Sequence, residues 1–544
     1  MPKVKKQTAG TIGLMAAVLY IIGNVVGLGI FFKNMTVFRL NANNAIGILV
    51  SWIVAIILVL CMALSFAEIS TCKMKNKNAG LGGWSEQFCG HKFGRYAKTG
   101  YTLVFWPLNT FSVLFFGGEA ILKCFAPLLG DQYWTSFGYN YGSCTTLYIF
   151  LIGLALFALF IGLNYAKTKT MVKTGSVISF VKFAPIAMVF ILGIVFGIMM
   201  NQGGCWTGHP LKEGAETHAF SMSNAMCAIP AILFSFEGYI SVGNISTEIK
   251  NPEKNLSLAV VLGVIVISAL YLAVTIGCLT LGSGSAYDLF NKIGNETVKH
   301  VFTTVISIFI LICLIGSING LTRGGIYAYQ SLLESNDLFC SKRIMNIKPG
   351  DKMFAGVIGF SIMIVLWWLI LAIPSSILNT DAIGDGSSTS MIVIIYVIYG
   401  VTVAGGLANR RSKKIEVNKV KAFPVVATIG VITCILFVCY VSLWQFTLVP
   451  ILGGLNGLNS EVEKLNSGLF VKSGWGMFAS GPNWIGTTTT QYDMRNWEVM
   501  MWFWIMTGIG AISPIVNDLL IKRFDKDNKT PLIWQKANKA LVLK

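Results

Sequence analysis

Two short stretches carry residue types that an ordinary membrane helix avoids. The first, IIGNVVGLGIFF (21–32), sets three glycines and an asparagine inside an apolar run. The second, IPAILFSFEGYISVGN (229–244), carries Pro230, Ser235, Glu237, Gly238 and Gly243 in a similar run. Glycine in a helix interior costs about 0.5–1 kcal/mol relative to alanine. A backbone that unwinds at such points frees N–H and C=O groups, each costing several kcal/mol in hydrocarbon unless something satisfies it. A zwitterion fits that need. Its carboxylate can take the free N–H groups at a half-helix N-terminus, on the positive end of the dipole. Its ammonium can take the carbonyls released on the other side. The amides around Gly27, Leu28 and Gly29 are therefore expected to hold a carboxylate, and carbonyls near Val25, Phe234, Ser235 and Glu237 an ammonium, with Phe236 beside them. For the first stretch alone, Gly23-xxx-Gly27 also reads as a close-packing face between helices.

Five ionisable residues fall well inside apolar runs: Glu119, Lys123, Lys182, Glu237 and Arg323. A charge at the bilayer centre costs roughly 2.5–3.5 kcal/mol on insertion scales, so such residues usually face a cavity or a partner. Glu119 and Lys123 stand at i,i+4 with the acid first, the favourable order for a local pair. Lys182 lies about ten residues, roughly 15 Å, into its run. It can release a proton, since burial disfavours an ammonium, or cap backbone carbonyls as a fixed cation. Glu237 has three readings: a contact for a cationic substrate side chain, a proton site, or a brace to Arg323. Arg323 reads as part of an inner gate or a buried pair.

These residues need elements to position them, and the bulk of the chain supplies them. Of 544 residues 54% are hydrophobic and 12% charged, at a mean hydropathy of +0.67. A soluble chain carries about twice that charged fraction. Continuous apolar runs near 20 residues imply a polytopic all-α membrane protein and exclude a β-barrel, whose strands alternate. Twelve spans are predicted, at about 11–32, 45–67, 99–127, 146–163, 172–199, 222–246, 257–282, 301–333, 353–373, 389–408, 422–449 and 497–520.

The net charge of +18 is an orientation signal. Alternate segments, starting from the N-terminus, hold 31 of the 42 basic residues, against 8 on the opposite side and 3 inside spans. That distribution predicts both termini in the cytoplasm of a plasma-membrane protein and removes support for a nucleic-acid partner. The apolar start is too long and too closely followed by further spans for a cleaved signal peptide. The cysteines are scattered without metal-ligand spacing, and no metal or cofactor is expected; Cys144 and Cys205 fall on outer segments, where they either pair or stand as unrelated small hydrophobes. The inner connections 68–98 and 334–352 read as polar and basic, 381–390 as a flexible connector, and 450–496 as a long outer loop. In domain terms the chain reads as an N-terminus 1–10, a first five-helix unit 11–199, a second 222–408, spans 11 and 12 over 422–520, and a C-terminus 521–544.

The interrupted spans 1 and 6 are five apart, so the second enters the bilayer from the opposite side. Matched interruptions in an inverted pair of five-helix units indicate a central site between discontinuous helices. Here the residues carry a resemblance. GNVVGLGIFF is similar to the span 1 signature of the amino acid–polyamine–organocation superfamily. FSFEGYISVGNISTEIKNPEKNLSLAV (234–260) resembles its span 6 and following loop, with Phe234, Phe236, Gly238, Glu248, Lys250, Asn251, Pro252 and Asn255 in place. SVISFVKFAPIAMVFILG resembles its span 5, where a lysine often stands at the position of Lys182. GSINGLTRGGIYAYQSLLESNDLF matches span 8 more loosely. The resemblance covers about the first 410 residues.

It implies a LeuT-type fold of five-plus-five inverted repeats with broken helices 1 and 6 and two extra helices. It also implies secondary transport of amino acids, with a permease of polyamines or other organic cations as the alternative. Phe234 matches the aromatic gate over the substrate. Lys182 matches a lysine whose ammonium stands where sodium-coupled relatives hold a cation, which points to proton coupling or exchange. Leu28 replaces the usual serine, moving the expected carboxylate contact to backbone amides. Span 8 lacks the usual small-hydroxyl cluster and carries Arg323. A channel fits poorly, because pore rings come from oligomeric repetition of a few spans. An enzyme fits worse: four histidines form no metal-type pair, and the GxG of span 1 lacks a dinucleotide site's strand–turn–helix context. Oligomeric state is not legible.

Overall fold

The computed structural model describes residues 12–27, 29–72, 80–129, 145–211, 219–290, 295–377, 382–448 and 490–524. Leu28, Cys144, most of 450–496, the N-terminus 1–10 and residues 525–544 lie outside the described residues, as does the side chain of Lys123. Among the described residues, twelve helical segments are long and apolar enough to cross a membrane: Leu14–Leu40, Ala45–Ile69, His91–Leu122, Leu147–Ala166, Lys173–Asn201, Asn224–Ser246, Pro252–Leu281, Thr297–Glu334, Lys352–Pro374, Thr389–Ser412, Phe423–Leu448 and Met501–Phe524. Each overlaps one predicted span.

The differences have local causes. Span 1 runs on to Leu40 rather than stopping at 32, because its break takes up residues and a second helical half must follow. Span 3 begins at His91, and the preceding polar segment folds as a short helix, Leu81–Cys89. Residues 341–347 of the other inner connection form a further short helix, Ser341–Ile347. The expected connector at 381–390 is helical from Ala382 onward.

Spans 1, 2, 6 and 7 pack on one another, and spans 3, 4, 8 and 9 form a second group. Span 5 lies along spans 1 and 7, while spans 11 and 12 both pack on span 10. Prolines mark the irregular points. Pro107 has no N–H for the Leu103 carbonyl one turn earlier, and the Trp367 indole of span 9 donates to that carbonyl at 2.9 Å. In span 5, Pro185 likewise cannot bond Val181, and the helix resets at Lys182 between Thr168–Val181 and Phe183–Asn201.

Both interruptions are present. Span 1 is helical over Leu14–Val25, turns extended at Val26 (φ −72°, ψ 114°), and resumes as a π-helical turn Gly29–Lys33 followed by Asn34–Leu40. Span 6 is helical over Met222–Phe236 and extended at Glu237 (φ −64°, ψ 143°), then continues as a narrow 3-10 segment, Tyr239–Glu248. Gly238 between them has φ +105°, a conformation open to glycine and strained for other residues. Ahead of span 1, Ile12 bridges Ile249 after span 6, with the Lys250 N–H donating to the Ile12 carbonyl at 2.8 Å.

Candidate substrate site between the broken spans

The two breaks meet. A methyl group on Gly29 would lie 2.3 Å from the Ser235 Cα, so spans 1 and 6 touch backbone to backbone there. Tyr271 of span 7 ties the two together, its hydroxyl 3.0 Å from the Val25 carbonyl and 3.0 Å from the Ser235 carbonyl. Its ring packs on Phe236 and Trp52, with centroids 5.1 and 5.7 Å away. Asn24 Nδ2 donates to the Ser241 hydroxyl at 3.1 Å, and that hydroxyl donates to the Gly238 carbonyl at 2.5 Å.

Lys182 is fully buried and reaches across from span 5. Its ammonium donates to the Gly23 carbonyl at 2.6 Å, to the Val26 carbonyl, and to Ser317 Oγ of span 8 at 2.9 Å. Three donors meet three acceptors. Ser317 Oγ also lies 3.4 Å from the Val26 carbonyl, so the last carbonyls before the break are held from two spans at once.

The carbonyls expected to take a substrate ammonium have internal partners here. Val25 and Ser235 face Tyr271, and the Phe234 carbonyl accepts the Glu237 N–H at 3.0 Å. Each carbonyl has a second lone pair. On the other side of the gap, the helical half that starts at Gly29 presents N–H groups with no partner within its own helix, as every helix start does. Gly27 and Gly29 are described; Leu28 between them is not.

Glu237 is buried, and Oε1 accepts a hydrogen bond from Tyr399 of span 10 at 2.7 Å. Oε2 has no hydrogen-bond partner among the described residues. The brace weighed from sequence does not form: the guanidinium of Arg323 lies over the Tyr327 ring, 5.7 Å from its centroid. Glu119 is half-buried in span 3. The Tyr287 phenol, in the turn Ala286–Phe290 after span 7, is pushed well above its usual range by burial and then by the nearby Glu119 carboxylate.

Sequence reasoning missed four participants. Tyr271, Ser317 and Tyr399 sit singly in apolar runs, and a buried hydroxyl needing a partner was the available signal. Lys33, one residue past the expected end of span 1 at 32, is buried inside the span, 1% exposed, with its ammonium 5.1 Å from the Phe234 ring centroid and 5.6 Å from that of Phe116.

Residues 12–453 match the family model described as amino acid permease. The chain is similar to an uncharacterized protein of Mycoplasma pneumoniae, 24% identical over 480 residues, covering 79% of this chain and 84% of that one. It is also similar to the serine/threonine exchanger SteT of Bacillus subtilis, 25% identical over 434 residues, covering 77% of this chain and 89% of the relative. Among solved structures it resembles MhsT in complex with L-phenylalanine, at a TM-score of 0.51 and 14% identity, over 79% of this chain and 100% of that one. That likeness carries the fold: twelve membrane helices of the LeuT type, with the first and sixth broken at one site. The chain belongs to the amino acid permease family and is a secondary amino-acid transporter.

Proposed function

We propose that the protein exchanges one amino acid for another across the plasma membrane without a sodium ion, Lys182 supplying a fixed cation where the broken helix needs one. The observation that carries this reading is the saturation of the Lys182 ammonium by Gly23, Val26 and Ser317. An ammonium with all three hydrogens engaged acts as a permanent clamp on the break. The naming of SteT as a serine/threonine exchanger supports exchange as the mode.

The substrate carboxylate sits at the amides of Gly27, Leu28 and Gly29, and its ammonium at the carbonyls of Val25, Phe234, Ser235 and Glu237, beside Phe236. Phe234 is the gate over it. Glu119, Lys123 and Arg323 stay outside the substrate contacts as structural charges. The repeats span 11–199 and 222–408, and the clustering of basic residues on alternate segments supports cytoplasmic termini.

Counterflow in proteoliposomes tests the reading. Labelled amino acid is expected to enter only vesicles preloaded with a counter-substrate, equally in sodium and in choline media. Accumulation in empty vesicles under an imposed pH gradient overturns it in favour of proton coupling. The observation that favours this second reading is that Glu237 Oε2 has no hydrogen-bond partner among the described residues.

A further inference from the structure

Two buried lysines bracket the break in span 1. Lys182 holds the carbonyls before it. Lys33 closes the π-helical turn Gly29–Lys33 after it and is 1% exposed. A cation at this depth in an apolar environment is costly, so its surroundings matter. It lies between two aromatic faces: Phe116 of span 3, at 5.6 Å from the ring centroid, and Phe234 of span 6, at 5.1 Å. Phe32, its neighbour, backs the same layer, 5.0 Å from Phe116 and 6.1 Å from Tyr287 between ring centroids. An aromatic face attracts a cation electrostatically, most strongly where water is excluded. The contact with Phe234 is of special interest, because that ring is the gate under the proposed function, on which this inference rests.

We propose that Lys33 is a gate latch: a positioning residue whose ammonium holds the Phe234 ring shut by bridging spans 1, 3 and 6 on the far side of the break from Lys182. Opening the gate swings Phe234 away and takes one of these two aromatic faces from the ammonium. The π-helical turn, whose wider winding is found often at functional sites, presents Lys33 toward both rings. A desolvated cation–π contact biases such an equilibrium by about 30-fold. The latch therefore governs how long a bound amino acid stays occluded.

Counterflow kinetics of the full chain in proteoliposomes test this. Lys33→Met keeps the length of the stem and removes the charge; Lys33→Arg keeps the cation. With Lys33→Met, KM is expected to rise about 10- to 30-fold while the maximal exchange rate changes by less than about threefold. Lys33→Arg should restore KM to within about threefold of the unmodified protein, a rescue that a purely space-filling role would not give. An unchanged KM in Lys33→Met, or Lys33→Arg as impaired as Lys33→Met, overturns the latch. Should Lys33→Met fail to yield monodisperse protein, Phe116→Leu carries the test by removing one face around an intact ammonium: a raised KM supports the latch and a wild-type KM overturns it. Absence of counterflow in the unmodified protein instead overturns the transport reading beneath it, so the two failures are distinguishable.

Discussion

Lys182→Met is the most informative single change, because it keeps a stem of similar length and removes only the ammonium. Three bonds go: to the Gly23 carbonyl at 2.6 Å, to the Val26 carbonyl, and to Ser317 Oγ at 2.9 Å. They are not equivalent. Ser317 Oγ keeps its own helix carbonyl, Cys313, at 3.3 Å, and it also keeps Val26 at 3.4 Å. Val26 thus retains a weak partner. Gly23 retains none of that kind among the described residues, since the residue that would bond it in a continuous helix, Gly27, lies beyond the break. Leaving a buried acceptor unsatisfied costs about 1–3 kcal/mol, and bonds to a charged group stand at the upper end. One stranded and one weakened carbonyl give about 2–6 kcal/mol against the intact break. At 1.4 kcal/mol per decade that is roughly 30-fold to 20,000-fold. The loss should appear as weaker equilibrium binding of a labelled amino acid to purified protein, together with a lower thermal midpoint. Binding within about threefold of the unmodified protein at an unchanged midpoint refutes the clamp.

Four further outcomes follow from the structure. Gly27→Ala brings a methyl 2.3 Å from Ser317 Oγ, the tip of a side chain, so Gly27→Ala should impair counterflow and Gly27→Ala/Ser317→Ala should recover most of it. Gly29→Ala meets the Ser235 Cα at 2.3 Å, which no truncation of Ser235 relieves, so Gly29→Ala/Ser235→Ala should remain inactive; recovery there would mean the two spans can part without loss. Tyr399→Phe leaves the Glu237 carboxylate without its described hydrogen bond, which should lower stability by about 1–3 kcal/mol; an unchanged thermal midpoint argues that water already serves that carboxylate. Asp351 caps the start of span 9, accepting the Phe354 N–H at 3.0 Å, and pairs with Lys348 at 2.8 Å. The Lys348 hydrogen bond, followed by the Phe354 N–H and Tyr165, depresses its carboxyl to about 2. A depressed carboxyl stabilises the fold above its unfolded value of roughly 3.9 and loses that contribution as pH falls through the folded one. The melting difference between the unmodified protein and Asp351→Asn should therefore hold constant above about pH 5 and vanish between about pH 4 and 2; a difference that shrinks near pH 7 contradicts the assignment.

Much of this was written in local sequence. Twelve apolar runs are a one-dimensional signal, because a bilayer demands about 20 apolar residues wherever the chain crosses it. The two breaks were equally local: glycines at 23, 27 and 29, and the Glu237–Gly238 pair, announce a helix that cannot continue, and Gly238 at φ +105° bears this out. What the sequence could not supply was who satisfies the freed backbone. Lys182 stands 159 residues from Gly23, Tyr271 stands 246 from Val25, and Tyr399 stands 162 from Glu237. Such partners are chosen by helix packing across the bundle, and no window along the chain contains them. Lys33 is the sharpest case. Hydropathy ends span 1 at residue 32, and a lysine just beyond reads as a flank reaching for water. The tertiary structure carries span 1 on to Leu40, because the break interrupts the helix and a second half must complete the crossing; that extra half draws Lys33 inside and sets it between Phe116 and Phe234. Local sequence alone determined that the chain crosses the membrane and where it breaks. Packing decided which side chains hold the break together, since a buried polar group must find its partner wherever the fold brings one.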